Sequence, residues 1–115
     1  MHVLDILPYI PIMVYDLQCP IARTLDIIGE RWTMMLLRDL VLRGPRKFQD
    51  FQTAFPAISP NTLSARLKTL EENGIVSRHF YEDHPPRAEY RLTDKGRMLG
   101  PVLKALRDWG NKHLA

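Results

Sequence analysis

A mainly α-helical α+β domain with one small β-hairpin is the fold class predicted here, on three observations. Apolar residues recur at spacings of three and four over most of residues 20–73 and again over 93–109. Between Ile75 and Leu92 the pattern changes to a β-rich run, a Pro-Pro break and a second alternating run. Caps, glycines and prolines stand where these periods begin and end. With 115 residues, 45% of them apolar and 25% charged, the chain fits a single globular domain and excludes disordered and collagenous classes. A lone cysteine, Cys19, forms no internal bridge, which excludes a disulfide-framed scaffold and makes a reducing cytoplasm the expected location.

The first helix begins at Pro20, a residue tolerated at a first helical position, carries Ile21, Leu25 and Ile28, and stops at Gly29. A second helix spans Glu30 to Leu42, with Trp32, Met35, Leu36, Leu37 and Leu40 on its apolar stripe and Arg31, Arg38 and Asp39 off it, before Gly44-Pro45 breaks the pattern. Phe48, Phe51 and Phe55 set a short third helix over Phe48 to Ala54, ending before Pro56. The fourth helix has the clearest limits: Ser59 as N-cap, Pro60 at N1 and Asn73-Gly74 as a left-handed stop. At about 100° per residue its Leu63, Leu67 and Leu70 share one face, opposite Asn61, Ala65 and Lys68. Strands over Ile75 to Tyr81 and Ala88 to Leu92 flank a loop from Glu82 to Arg87. Thr93 caps a last helix bearing Leu99, Val102, Leu103, Leu106 and Trp109, which Pro101 should bend or weaken.

Sixteen Lys and Arg against thirteen Asp and Glu give a net charge of +3, with a local excess of +4 in residues 43–68. Residues 1–18 are apolar with Asp5 and Asp16 and no base; without a basic n-region, and with Pro8 and Pro11 breaking the run, they suit neither a signal peptide nor a membrane span. Two readings stay open for them: an arm packed on the body or on a partner subunit, or a natural start at Met13. The remainder, 19–115, is expected to be one domain.

Three helices, a capped fourth, a hairpin and a last helix in a small basic domain follow the order of a winged helix-turn-helix. A helix that buries one face and offers short polar and long basic side chains on the other suits the major groove, and residues 59–68 have that composition. The loop with His84 and Arg87 could follow the phosphate backbone, although Glu82 and Asp83 oppose it.

Cys19-Pro20, Ile28-Gly29-Glu30-Arg31-Trp32-Thr33, Leu36-Leu37-Arg38-Asp39-Leu40, Gly44-Pro45-Arg46-Lys47-Phe48, the run from Ile58 to Glu71, Gly74-Ile75-Val76 and the run from Pro85 to Gly96 closely resemble the HxlR-type family of bacterial transcriptional regulators, from Cys19 to about Trp109. The resemblance implies a cytoplasmic homodimer that binds an inverted-repeat operator in double-stranded DNA, with terminal helices forming the dimer. It places Ser59, Asn61, Thr62, Ser64, Ala65, Arg66 and Lys68 in the recognition helix, Arg46 and Lys47 in a basic pair before the third helix, and Arg87 in the wing. It also implies dimer contacts from the first helix, where Ile21 and Leu25 stand, and from Leu99, Leu103, Leu106 and Trp109 of the last; intramolecular core is the competing reading of that ridge. Members of this family include redox and electrophile sensors with a cysteine at the position of Cys19, so oxidation or alkylation there is a candidate control, and an oxidant or small molecule a candidate effector. The competing reading is a small buried residue.

No phosphate loop, nucleophile elbow or paired-carboxylate pattern supports an enzyme, and no cofactor is expected. Cys19, His79 and His84 match no zinc spacing, so no metal site is expected. The alternative function is a winged-helix protein-interaction module without operator specificity.

Overall fold

A computed structural model describes residues 18–83 and 86–114. The arm expected over residues 1–18 therefore falls almost wholly outside the described residues, as does His84. Helix α1 (Pro20–Ile28) starts behind an extended Cys19, and α2 (Arg31–Arg43) starts at Glu30, whose carboxylate accepts a hydrogen bond from the Thr33 N–H at 2.9 Å. Gly44 ends α2 at φ +77°, a left-handed conformation that glycine adopts at little cost. Helix α3 (Phe48–Ala54) and helix α4 (Pro60–Glu72) follow. The Ser59 hydroxyl caps α4 by accepting from the Thr62 N–H at 3.1 Å, and Gly74 turns the chain out of it at φ +71°.

One core joins these helices: Leu36, Leu37 and Leu40 of α2, Phe51 of α3, and Leu63, Leu67 and Leu70 of α4 are buried together with Ile75 and Val76. The expected fourth-helix stripe is thus the buried one. Asp39 is a correction to the sequence reading. Placed off the apolar stripe, it is 2% exposed, because its carboxylate leaves water for Arg43 Nε at 3.1 Å and Arg46 Nε at 2.8 Å.

The hairpin consists of β2 (Val76–Asp83) and β3 (Pro86–Leu92), antiparallel, with Val76 opposite Leu92, Arg78 opposite Tyr90 and Phe80 opposite Ala88. Both strands run further than their apolar alternation suggests. After an irregularity between Phe80 and Glu82, pairing continues with Glu82 opposite Arg87, and a strand's first residue loses little by being a proline. A third strand, β1 (Arg46–Lys47), pairs Arg46 with Tyr90 and Lys47 with Glu89, so the sheet order is β1-β3-β2. Two residues carry no readable period, which is why the sequence reading lacks this strand.

The last helix is also corrected. Helix α5 (Asp94–Arg97), capped by the Thr93 hydroxyl on the Gly96 N–H at 3.0 Å, is separate from α6 (Gly100–His113). Pro101 lies in the first turn of α6, where backbone N–H groups have no helical acceptor, and so it begins a helix where a bend was expected. Leu99 and Leu103 pack against the core, whereas Val102, Leu106 and Trp109 stand exposed, as do Ile21 and Leu25 of α1. The apolar ridge of the sequence divides into a core row and an uncovered row.

Candidate nucleic-acid interface

Helix α4 brings the predicted recognition residues to one surface because its three buried leucines fix its rotation. Ser59, Asn61, Ser64, Ala65 and Lys68 are exposed along the N-terminal two turns and their flank. They are not equally available. Ser59 and Thr62 are engaged with each other, the Ser59 hydroxyl donating to Thr62 Oγ1 at 2.9 Å in addition to its cap. Lys68 Nζ lies 3.9 Å from Glu72 Oε1, an exposed pair of little strength. Arg66 turns inward: its Nε lies 3.2 Å from Glu30 Oε2, shielded from solvent but off the line of a hydrogen bond, so that contact is ionic. Asn61, Ser64 and Ala65 remain as the short, uncovered side chains that allow a backbone to approach.

Glu30 therefore serves two elements, capping α2 and meeting Arg66 of α4. Burial raises the pKa of its carboxyl, but the Thr33 and Trp32 N–H groups, the Arg66 guanidinium and the Thr33 hydroxyl outweigh burial and hold it below its ordinary value. On the hairpin side, Arg78 Nε donates to Glu71 Oε2 at 2.8 Å, and that carboxylate favours the charged guanidinium. Ion pairs thus tie α4 to the N-cap of α2 at its middle and to β2 at its C-terminal end, orienting helix and hairpin as one unit.

The basic pair before α3 splits. Arg46 is committed to buried Asp39, while Lys47 is exposed, with its Nζ 4.9 Å from the centre of the Tyr81 ring. Arg87, whose Nε is 3.5 Å from Glu82 Oε2, shares with Lys47 the lining of a shallow polar groove of about 370 Å³, together with Gln49, Gln52 and Tyr81. Sequence reasoning named Lys47 and Arg87 but missed the two glutamines and Tyr81. The Gln49 and Gln52 spacing of three was the available signal, since it puts both on one side of α3.

Cys19 occupies the N-cap position of α1 and is half-buried; its backbone carbonyl accepts from the Arg23 N–H at 3.0 Å. Among the described residues no group of three His, Cys, Asp or Glu side chains is close enough to hold a metal ion, and no helix is long and apolar enough to cross a membrane.

Residues 27–115 match the family model described as HxlR-like helix-turn-helix. The chain belongs to that family. It is 41% identical over 95 residues to the HTH-type transcriptional regulator YdeP of Bacillus subtilis, an alignment covering 83% of this chain and 73% of that protein. Among solved structures, the redox regulator HypR in its reduced form superposes with a TM-score of 0.76 at 36% identity, over 82% of this chain and 92% of that one. The reduced form of the transcriptional regulator YodB from B. subtilis gives 0.68 at 32% identity, over 84% and 94%. This HxlR-like chain is thus a winged helix-turn-helix protein of a transcriptional-regulator family, as its helices, hairpin and resemblance led one to expect.

Proposed function

We propose that the protein is a cytoplasmic homodimeric regulator that reads an inverted-repeat operator, each subunit laying α4 in a major groove. The observation that carries this reading is the exposed face of α4, polar over its first two turns and basic at Lys68, whose opposite face of Leu63, Leu67 and Leu70 is buried. Asn61, Ser64, Ala65 and Lys68 meet the bases and adjoining phosphates, Ser59 and Thr62 shape the helix start, and Lys47 and Arg87 hold the phosphate backbone on either side of the groove beside α3. Arg66 and Arg46 act from behind by fixing α4 and β1. The uncovered apolar row, Ile21 and Leu25 with Val102, Leu106 and Trp109, forms the dimer contact, with Leu99 and Leu103 supporting it from the core side. Half-sites about one helical turn apart follow from a two-fold dimer.

Selection of bound duplexes from a random library at near-physiological salt tests the reading. A two-fold symmetric motif is expected, and enrichment of no motif favours a protein-docking winged helix. On the selected site, Asn61→Ala is expected to relax sequence preference at one base position, by about 1–3 kcal/mol. Lys47→Ala should weaken all duplexes alike and lower the salt slope by about one, as loss of one phosphate contact does. The reverse pattern would overturn this docking.

A second reading concerns control. Cys19 is half-exposed at a helix start beside the exposed α1 face, and similarity to a redox regulator, HypR, observed in oxidised and reduced forms, favours thiol chemistry there. With one thiol per chain, oxidation by diamide gives either a disulfide between two subunits or a mixed disulfide with a small thiol, each taking two electrons and two protons from two thiols to the diazene. Diamide is expected to lower operator binding by the parent and to leave Cys19→Ser unchanged; equal loss in both removes Cys19 from this role.

A further inference from the structure

A cavity of about 610 Å³ lies away from α4 and from the groove beside α3, between the C-terminal end of α2, the base of the hairpin and α5. Its size is within the range of small-molecule sites. The walls divide by chemistry. Leu40, Val41, Pro45 and Leu92 are apolar, whereas Ser77, His79, Arg91 and Arg97 are polar; among the described residues no carboxylate lines the space, although Glu89, opposite His79, reaches Arg91 from beside it.

We propose that this cavity binds a small organic carboxylate with an apolar body. The two guanidinium groups provide the planar forks that match a carboxylate. Their present partners are local: Arg91 pairs with Glu89 on its own strand, whose side chain is 24% exposed, and Arg97 with Asp94, whose side chain is 98% exposed. The exposed Arg97–Asp94 pair is weak, so an incoming carboxylate displaces little there, whereas at Arg91 it competes with Glu89. Arg97 also donates to the Leu92 carbonyl at 3.0 Å, which anchors its guanidinium at the cavity rim. His79 and Ser77, 2.8 Å apart between ring Nε2 and hydroxyl, supply a further donor at the hairpin wall. The apolar wall of Val41, Pro45 and Leu92 separates this site from one for a bare inorganic anion, because such an anion gains nothing from it. A bulky aromatic or branched body on the carboxylate fills that half.

The test needs no DNA and therefore stands apart from the operator reading. Amide chemical shifts of the full chain are followed by NMR during titration with benzoate, with benzamide and with inorganic phosphate. Benzoate should move the Gly44, Ser77, His79, Arg91 and Leu92 amides together along one saturating curve, and bind about tenfold or more tightly than either benzamide or phosphate. The double variant Arg91→Gln/Arg97→Gln should lose about tenfold in benzoate affinity. Val41→Asp, which places a negative charge at the exposed lip, should lose a similar amount and serves if the double variant does not fold. Equal affinity for benzoate and phosphate, equal affinity for benzoate and benzamide, or benzoate shifts scattered over arginines elsewhere would each overturn the site.

Discussion

Gly96→Ala should be among the most damaging single-methyl changes in this chain, with a loss of about 3 kcal/mol, the upper end of ordinary overpacking. Gly96 is the buried third residue of α5, and a Cβ there would overlap the Ile75 carbonyl oxygen and come within 3.1 Å of Leu92 Cδ2. That carbonyl cannot move freely, because it accepts both the Thr93 N–H at 3.0 Å and the Thr93 hydroxyl at 3.1 Å. The same methyl therefore breaks the junction where hairpin, α5 and the entry to α6 meet. For a domain of this size, thermal unfolding should fall by more than about 10 °C. Gly100→Ala is the control, since nothing lies within 4 Å of a Cβ there, and it should unfold close to the parent. A Gly96→Ala protein that unfolds within a degree or two of the parent would show that the junction yields.

The elements that sequence reasoning placed well are those with a long period and a marked end. Helix α4 runs from Pro60 to Glu72 within the bounds set by Ser59 and Gly74, and its buried residues are the three leucines of its stripe. The DNA-facing candidates are legible for the same reason, because rotation of α4 follows from Leu63, Leu67 and Leu70. What sequence could not supply was pairing between elements. Strand β1 exists only because β3 lies beside it, and Arg46 differs from Lys47 only because Asp39 reaches the first and not the second. Local composition treats those two bases as equivalent. Likewise, Glu30 and Arg66 are 36 positions apart in sequence, and only the packing of α4 against α2 brings them together.

Removing the Asp39 carboxylate is expected to cost about 3 kcal/mol, since breaking a buried ion pair from one side leaves the other charge without compensation. Its two oxygens are used separately, one by Arg43 and the other by Arg46. The arginines are not equivalent: the Arg43 side chain is 61% exposed and can return to water, but that of Arg46 is 22% exposed and cannot do so without displacing β1. Arg43→Ala should therefore cost no more than about 1 kcal/mol, the range of a largely exposed pair. Urea unfolding of Asp39→Ala, Arg46→Ala and the double variant should give a strongly non-additive cycle, with a lower midpoint and an unchanged slope in each. An additive cycle, or an Asp39→Ala loss below about 1 kcal/mol, would return Arg46 to the status of a surface base. The consequence for DNA follows from the strand. Arg46 sets the position of Lys47 opposite Glu89, so Arg46→Ala should weaken DNA binding mainly through the unfolded fraction. Lys47→Ala should weaken it with stability intact, and in binding measured well below the unfolding midpoint the two substitutions separate a base that positions from one proposed to touch phosphate.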